Sequence, residues 1–116
     1  MTIKRIEAGA RMSQAVVHGD TVYLAGQVAL KNKGKPVGEQ TKEILASIDR
    51  LLKEAGSDKS KLLKANIWLT DIKTWAEMNV AWDAWVSPGN APARATVESP
   101  LAGKGLDVEI MVEAAI

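Results

Sequence analysis

Arg94 is the only cation in the run NAPARATVESP, residues 90–100, which is otherwise typical of a short strand between two prolines. Strand alternation puts Arg94 on the same side as Thr96 and Glu98, with Ala93, Ala95 and Val97 on the other. A guanidinium presents a rigid, planar set of donors that matches a planar anion, above all a carboxylate. The run therefore predicts a strand that could carry an anion site.

Glu109 is the candidate partner of Arg94. The last predicted strand, Leu106–Ala115, also alternates, with Glu109 on its polar side. If this strand and Ala93–Glu98 form a hairpin with both apolar sets toward the core, Arg94 falls opposite Glu109 or Met111. We therefore expect Arg94, Thr96 and Glu109 together on one polar face, away from the helices.

Two interpretations of that polar face remain open from the residues alone. In one, Arg94 and Glu109 form a cross-strand ion pair on a wetted sheet, which contributes about 0–1 kcal/mol to stability. In the other, Arg94 binds a carboxylate while Glu109 orients it or handles a proton or water. Metal chemistry is not expected, because the chain has no cysteine and His18, its one histidine, lies in a predicted Gly-Asp turn.

The bulk composition predicts one domain over residues 1–116. The chain is 47% hydrophobic and 25% charged, and 15 basic against 14 acidic side chains leave a net charge of +1. The basic residues are spread along the chain, so no nucleic-acid partner is expected. No apolar run is long enough to span a membrane and no signal peptide is visible, so a cytoplasmic location is predicted.

The first half of the chain predicts a hairpin followed by a helix. Ala15–Val17 and Thr21–Leu24 are β-prone runs separated by His18-Gly19-Asp20, and the chain continues as a strand to about Leu30. Gly26 interrupts that continuation, which suggests a bulge or a close approach of another group to the backbone. Apolar residues at helical spacing then predict one amphipathic helix over Glu39–Ala55, ended by Gly56.

The second half predicts a strand ending near Thr70, a helix, and two last strands. Thr74 and Glu77 have the spacing of a capping box at the start of that helix. Its predicted apolar face comprises Trp75, Met78, Trp82, Trp85 and Val86. The element order predicts an α+β fold in which two helices pack on one face of a mixed sheet. The other sheet face is expected to meet neighbouring subunits.

Three stretches carry a resemblance to a known family. They are SQAVVHGDTVYLAGQV, the run from LLKEAGSDK to AWDAW, and APARATVES with VEIMVEAAI, and together they cover nearly the whole chain. On these stretches the chain resembles the RidA/YjgF family of reactive-intermediate deaminases, as a divergent paralogue. The resemblance implies a chorismate-mutase-like α+β subunit assembled as a homotrimer with sites in the intersubunit clefts.

The resemblance also implies an activity, the hydrolysis of 2-imino or 2-enamino acids to 2-oxo acids and ammonia without metal or organic cofactor. Arg94 matches the arginine that holds the substrate carboxylate in this family, and Glu109 matches the glutamate near the attacking water. A non-catalytic module that binds a 2-oxo acid or similar carboxylate at Arg94 is the alternative.

Three positions depart from the family's pattern. Met12 stands where an aromatic hydroxyl is common, Ala25 where serine is common, and Thr96 where cysteine or serine is frequent. We expect these three residues and Gly26 to contact substrate. The resulting pocket is poorer in hydroxyl groups, and Thr96 could still donate one hydrogen bond to substrate or water.

Overall fold

The computed structural model describes residues 1–116 as one mixed sheet with two α helices on one of its faces. The elements are β1 Ile3–Ala8, β2 Ser13–His18, β3 Thr21–Leu24, β4 Gln27–Val28, α1 Val37–Glu54, β5 Leu62–Leu69, α2 Trp75–Trp85, β6 Ala93–Glu98 and β7 Val108–Ala115. The sheet order is β1-β2-β3-β7-β5-β6, and β4 also pairs with β7. This arrangement confirms the predicted two-layer α+β fold. Neither helix is long and apolar enough to cross a membrane.

The β2–β3 hairpin was predicted, whereas β1 was not. Gly19 adopts a φ of 65° in the turn, a conformation that glycine enters without steric cost. β1 pairs with β2 at the edge of the sheet, with Ile6 opposite Ala15. Its apolar residues Ile3 and Ile6 are three positions apart, so they do not show the alternation that identifies a half-buried strand.

Helix α1 forms because its apolar residues recur on one face. Ile44, Leu45, Ile48, Leu51 and Leu52 are all buried in the main core. The observed bounds differ from the prediction by two residues at the start and one at the end. Gly56, with a φ of 84°, follows the helix as predicted.

The predicted capping box of α2 is wrong. Thr74 closes a short 3-10 turn instead, with its hydroxyl donating to the Asp71 carbonyl at 2.6 Å. The Glu77 carboxylate accepts a hydrogen bond from the Gly38 N–H at 2.6 Å, in the first turn of α1. Pro36 precedes α1 and makes no side-chain cap, so Glu77 satisfies one of the amide groups that helix α1 leaves unpaired.

Helix α2 buries a narrower face than the spacing predicted. Met78, Ala81 and Trp82 are buried, but Trp75 is 48% exposed, so its assignment to the core is wrong. Trp85 is partly buried and packs on the edge of the core. The two helices run in the same direction, because Glu77 meets Gly38 near their starts and Trp85 meets Asp49 further along.

Strand β5 lies between β6 and β7, so the predicted hairpin of the last two strands is wrong. β5 is parallel to β6 and antiparallel to β7. The reason is the order β5-α2-β6: a strand, a helix and a strand in succession form a crossover that brings the two strands side by side in parallel. β6 therefore pairs with β5, although the loop that joins β6 to β7 is shorter than the β5–β6 connection.

The faces of β6 are also the reverse of the prediction. Arg94 is in register with Ala65, which is buried beneath the helices, and so the polar residues of β6 point toward α2. The small apolar residues of β6 lie on the uncovered sheet face. We call this surface the open face, and define it by Val16, Tyr23, Trp68, Ala95, Val97 and Met111.

Candidate functional site

Glu109 lies in the middle of the sheet, on the open face. It is in register with Val28 of β4 on one side and Trp68 of β5 on the other. Partial burial among these strands removes water from the carboxyl group and raises the pKa of Glu109 above its usual value. A carboxyl group in this state can hold or release a proton closer to neutral pH than an exposed one.

Gly26 provides the space that the Glu109 carboxylate occupies. A β-carbon at position 26 would lie 2.0 Å from Glu109 Oε2 and 2.9 Å from its Cδ. The close approach predicted at Gly26 is therefore confirmed, and the approaching group is the candidate acid itself.

Hydrogen bonds hold the segment around Gly26. The Ala25 N–H donates to the Gln14 carbonyl at 2.8 Å. The Gln27 side-chain amide donates to Gln14 Oε1 at 2.9 Å and to the Ala25 carbonyl at 3.1 Å. These bonds join the segment to β2 and keep the Gly26 backbone beside Glu109.

Met12 and Gly26 line one cleft of about 500 Å³. Its other walls include Gln14 and Gln27 and, from α1, Ser47 and Arg50. Met12 is 50% exposed at this cleft. Of the predicted pocket residues, Met12 and Gly26 line this cleft, and Gly26 also lies against Glu109. Ala25 and Glu109 are not part of the cleft lining.

Arg94 occupies a different place, beneath α2. Its Nη1 donates to Asn79 Oδ1 at 2.8 Å, and its Cζ lies 5.4 Å from the centroid of the Trp82 ring. The ion pairs of this chain join Arg50 to Glu7 and Glu54, so Arg94 has no carboxylate partner. A half-buried guanidinium without an acidic partner is a candidate site for an external anion.

Thr96 follows Arg94 on the same side of β6. Its Oγ1 is buried and makes no hydrogen bond. A buried hydroxyl without a partner costs about 1–3 kcal/mol, so such groups in native proteins call for an explanation. A ligand bound beside Arg94 would supply the missing acceptor or donor.

Arg94 and Glu109 are not neighbours within one chain, contrary to the prediction. They point to opposite faces of the sheet, with β5 between their strands. Trp68 of β5 is in register with both Glu109 and Val97, and Val97 is three residues after Arg94. The usual spacings within and between strands then put the Cα atoms of Arg94 and Glu109 roughly 14 Å apart. Arg94 and Thr96 form one half of the predicted residue set, and Glu109 with the segment around Gly26 forms the other.

His18, the one histidine, is exposed at the end of β2, and no group of three or more histidine, aspartate or glutamate side chains is placed to hold a metal ion. Asn79, which contacts Arg94, was not predicted as a site residue. Its spacing from Trp82 puts both on one side of a helix, but nothing in that spacing indicates that this side covers Arg94.

This chain is similar to known proteins along nearly its whole length. A family model described as Endoribonuclease L-PSP matches residues 2–116. The RutC family protein YoaB of Escherichia coli is 46% identical over 116 residues, which is 100% of both chains. A rat protein named 2-iminobutanoate/2-iminopropanoate deaminase is 31% identical, covering 94% of this chain and 82% of the rat protein.

A solved structure gives the same result for the fold. The crystal structure of a YjgF family member from Neisseria meningitidis superposes with a TM-score of 0.95 at 43% identity. The match covers 99% of this chain and 95% of that one. The similarity extends over every strand and helix described above.

Proposed function

Since the chain belongs to the RidA/YjgF family, we propose that it hydrolyses reactive 2-imino acids and their 2-enamino tautomers to 2-oxo acids and ammonia. The observation that carries this proposal is the Arg94 guanidinium, half-buried and without an acidic partner in the chain. The name of the rat relative supports the reaction class. The proposed compartment is the cytoplasm, as the sequence analysis predicts.

In the proposed reaction the main task of the protein is to position the substrate and one water molecule. Water adds to the imine carbon, a proton moves to the nitrogen, and the resulting carbinolamine expels ammonia to leave the 2-oxo acid. The imine carbon is already electrophilic, so anchoring the substrate and orienting one water account for most of the task. Glu109, with its raised pKa, can take a proton from the water and return one to the departing nitrogen.

We propose that each site is shared between two subunits of a homotrimer. Arg94 and Glu109 face opposite sides of one sheet, so a small substrate can touch both only if they come from different copies of the chain. The apolar open face is a suitable surface for that assembly, with Tyr23 45% and Val97 48% exposed. One subunit would contribute Arg94 and Thr96, and its neighbour Glu109 and the Gly26 segment.

The remaining predicted contacts have distinct proposed roles. The Thr96 hydroxyl would hydrogen-bond to substrate or water, since it has no partner in the chain. Met12 and Ala25 would line the pocket beside Gly26 without supplying hydroxyl groups. A pocket of this kind would select substrate by its carboxylate and its shape more than by side-chain hydrogen bonds.

The proposal is tested by following a freshly formed 2-imino acid. An amino-acid oxidase generates the imine in the presence of semicarbazide, which traps whatever survives. Wild-type protein should lower the amount of trapped product. Arg94→Ala should lower kcat/KM at least about tenfold, since a hydrogen bond to a charged group contributes about 1.5–3 kcal/mol. Lys53→Ala removes an exposed cation from α1 and should behave as wild type.

The same experiment separates the deaminase from a carboxylate-binding module. If wild-type protein leaves the trapped product unchanged for small, large and acidic imines, the deaminase proposal is wrong. Arg94-dependent binding of a 2-oxo acid, measured by calorimetry, would then support the binding module. If Arg94→Ala changes neither turnover nor binding, Arg94 has no role toward small molecules.

A further inference from the structure

Two residues of α2 contact Arg94 from above. Asn79 and Trp82 are three positions apart and therefore lie on the same side of the helix. Asn79 Oδ1 accepts from Arg94 Nη1 at 2.8 Å, and the Trp82 ring lies 5.4 Å from Arg94 Cζ. Because a guanidinium has only donors, the amide oxygen of Asn79 must be the atom that faces it.

These contacts hold the arginine without neutralising it. Trp82 is buried, with 4% of its surface exposed, and packs in the main core, so the ring is a fixed support for the guanidinium. Asn79 is uncharged, so its bond to Arg94 leaves the positive charge available for an anion. An aspartate at the same position would hold the arginine equally well but would compete with the substrate carboxylate for that charge.

The bond also selects which edge of the guanidinium remains available. Nη1 is occupied by Asn79, whereas no hydrogen bond occupies Nε or Nη2. These two nitrogens form one edge with parallel N–H groups, the geometry that binds both oxygens of a carboxylate. Because the arginine side chain is already ordered before binding, the free energy of substrate binding does not include the entropy cost of ordering it.

We propose that Asn79, supported by Trp82, is a positioning residue that presents the Nε and Nη2 edge of Arg94 to the substrate carboxylate. The inference rests on the proposed function, since it assigns the carboxylate to Arg94. It extends that function by giving α2 a part in substrate selection: the helix orients the cation and leaves its charge uncompensated.

The test measures carboxylate binding and turnover in parallel. Calorimetry with 2-oxobutanoate gives the Kd of the product class without requiring catalysis, and the semicarbazide assay gives KM and kcat. The variants are Asn79→Ala, Asn79→Asp and Arg94→Ala. Val80→Ala is the matched control, since Val80 follows Asn79 on α2 and is 72% exposed. Thermal unfolding is recorded for each variant.

Asn79→Ala should raise Kd and KM about 3- to 10-fold, because the freed arginine must then be ordered during binding. Its thermal stability and kcat should change little. Asn79→Asp should weaken 2-oxobutanoate binding by at least as much while keeping or raising the unfolding temperature, since the arginine stays held but its charge is compensated. A purely structural role would instead give lower stability in Asn79→Ala and wild-type binding in Asn79→Asp.

The outcomes also distinguish this inference from the proposed function. If wild type binds 2-oxobutanoate through Arg94 but does not hydrolyse imines, the deaminase proposal fails and Kd still tests Asn79. If Asn79→Ala binds as wild type while Arg94→Ala does not, the positioning role is overturned. If wild type shows no Arg94-dependent binding or turnover, the Arg94 edge is not a carboxylate site and both proposals fail.

Discussion

The Glu109 carboxylate occupies the space that a side chain at Gly26 would fill, with only 2.0 Å between Oε2 and an ideal β-carbon at that position. Gly26 does not have a positive φ, so its backbone would accept other residues. The glycine is therefore required here by the neighbouring acid and not by its own backbone conformation. This contact places the candidate proton-transfer group against the segment that also contains Ala25.

Gly26→Ala should impair activity far more than folding. The added methyl group would displace the end of a flexible side chain, which costs little stability but moves the carboxylate by an ångström or more. Such a displacement of a reacting group lowers kcat by about 10- to 100-fold. The check is a double-mutant cycle with Glu109→Gln: in the Gly26→Ala background, the second change should have little further effect on kcat. Fully additive losses would mean that Gly26 does not act through Glu109.

Thr96→Val should raise stability and weaken ligand binding. The change removes a buried hydroxyl that has no partner in the chain, and so relieves a cost of about 1 kcal/mol. If the hydroxyl bonds to substrate, KM should rise several-fold in the same variant. Urea unfolding and the imine assay measure the two effects. Thr21→Val, on β3, serves as the control, because its hydroxyl is not among the buried unpaired groups.

Ala95→Arg should disrupt assembly. Ala95 is exposed on the open face of the edge strand β6, two residues from the exposed Val97. A charge buried in an interface without a partner costs several kcal/mol, enough to dissociate a trimer at micromolar concentration. Sedimentation velocity should show trimers for wild type and for Val80→Arg, which adds the same charge on α2, and monomers for Ala95→Arg. A wild-type monomer would overturn the proposal of a shared site.

Glu77→Ala should destabilise the fold by about 1 kcal/mol, the usual cost of losing a helix N-terminal cap. The carboxylate of Glu77 accepts from the Gly38 N–H across the two helices, and Pro36 offers no substitute. Glu39→Ala is the matched control: Glu39 lies in the same first turn but makes no such bond. Chemical denaturation of both variants gives the comparison, and equal losses would contradict the capping role.

The raised pKa of Glu109 predicts a specific pH dependence of stability. Burial favours the protonated carboxyl in the folded chain, so the folded state binds more protons than the unfolded state between the usual glutamate pKa and the raised one. Stability should therefore fall as pH increases through that interval and stay at the lower level above it. Glu109→Gln should remove this part of the curve, which urea unfolding between pH 4 and pH 8 would reveal. Parallel curves for the two proteins would contradict the desolvation of Glu109.

Local patterns were sufficient for much of the fold and for one contact of the candidate site. The 3.6-residue spacing of Ile44, Ile48 and Leu51 predicted α1, and the Gly19-Asp20 turn predicted the hairpin of β2 and β3. Gly26 was identified as a point of close approach because a glycine inside a strand is unusual. These features depend on residues close together in the chain, so their spacing in the sequence is enough to predict them.

The arrangement of Arg94 relative to Glu109 depended instead on which strands became neighbours. Ala93–Glu98 alternates small apolar and polar residues, a pattern that fits the strand with either side toward the core. The β5-α2-β6 crossover resolved that choice by inserting β5, which turned Arg94 toward Asn79 and Trp82 and left Glu109 on the opposite face. Alternation specifies which residues share a face, but contacts between distant segments decide which face is covered. For this reason the positions of Arg94 and Glu109 on opposite faces became visible only in the folded chain.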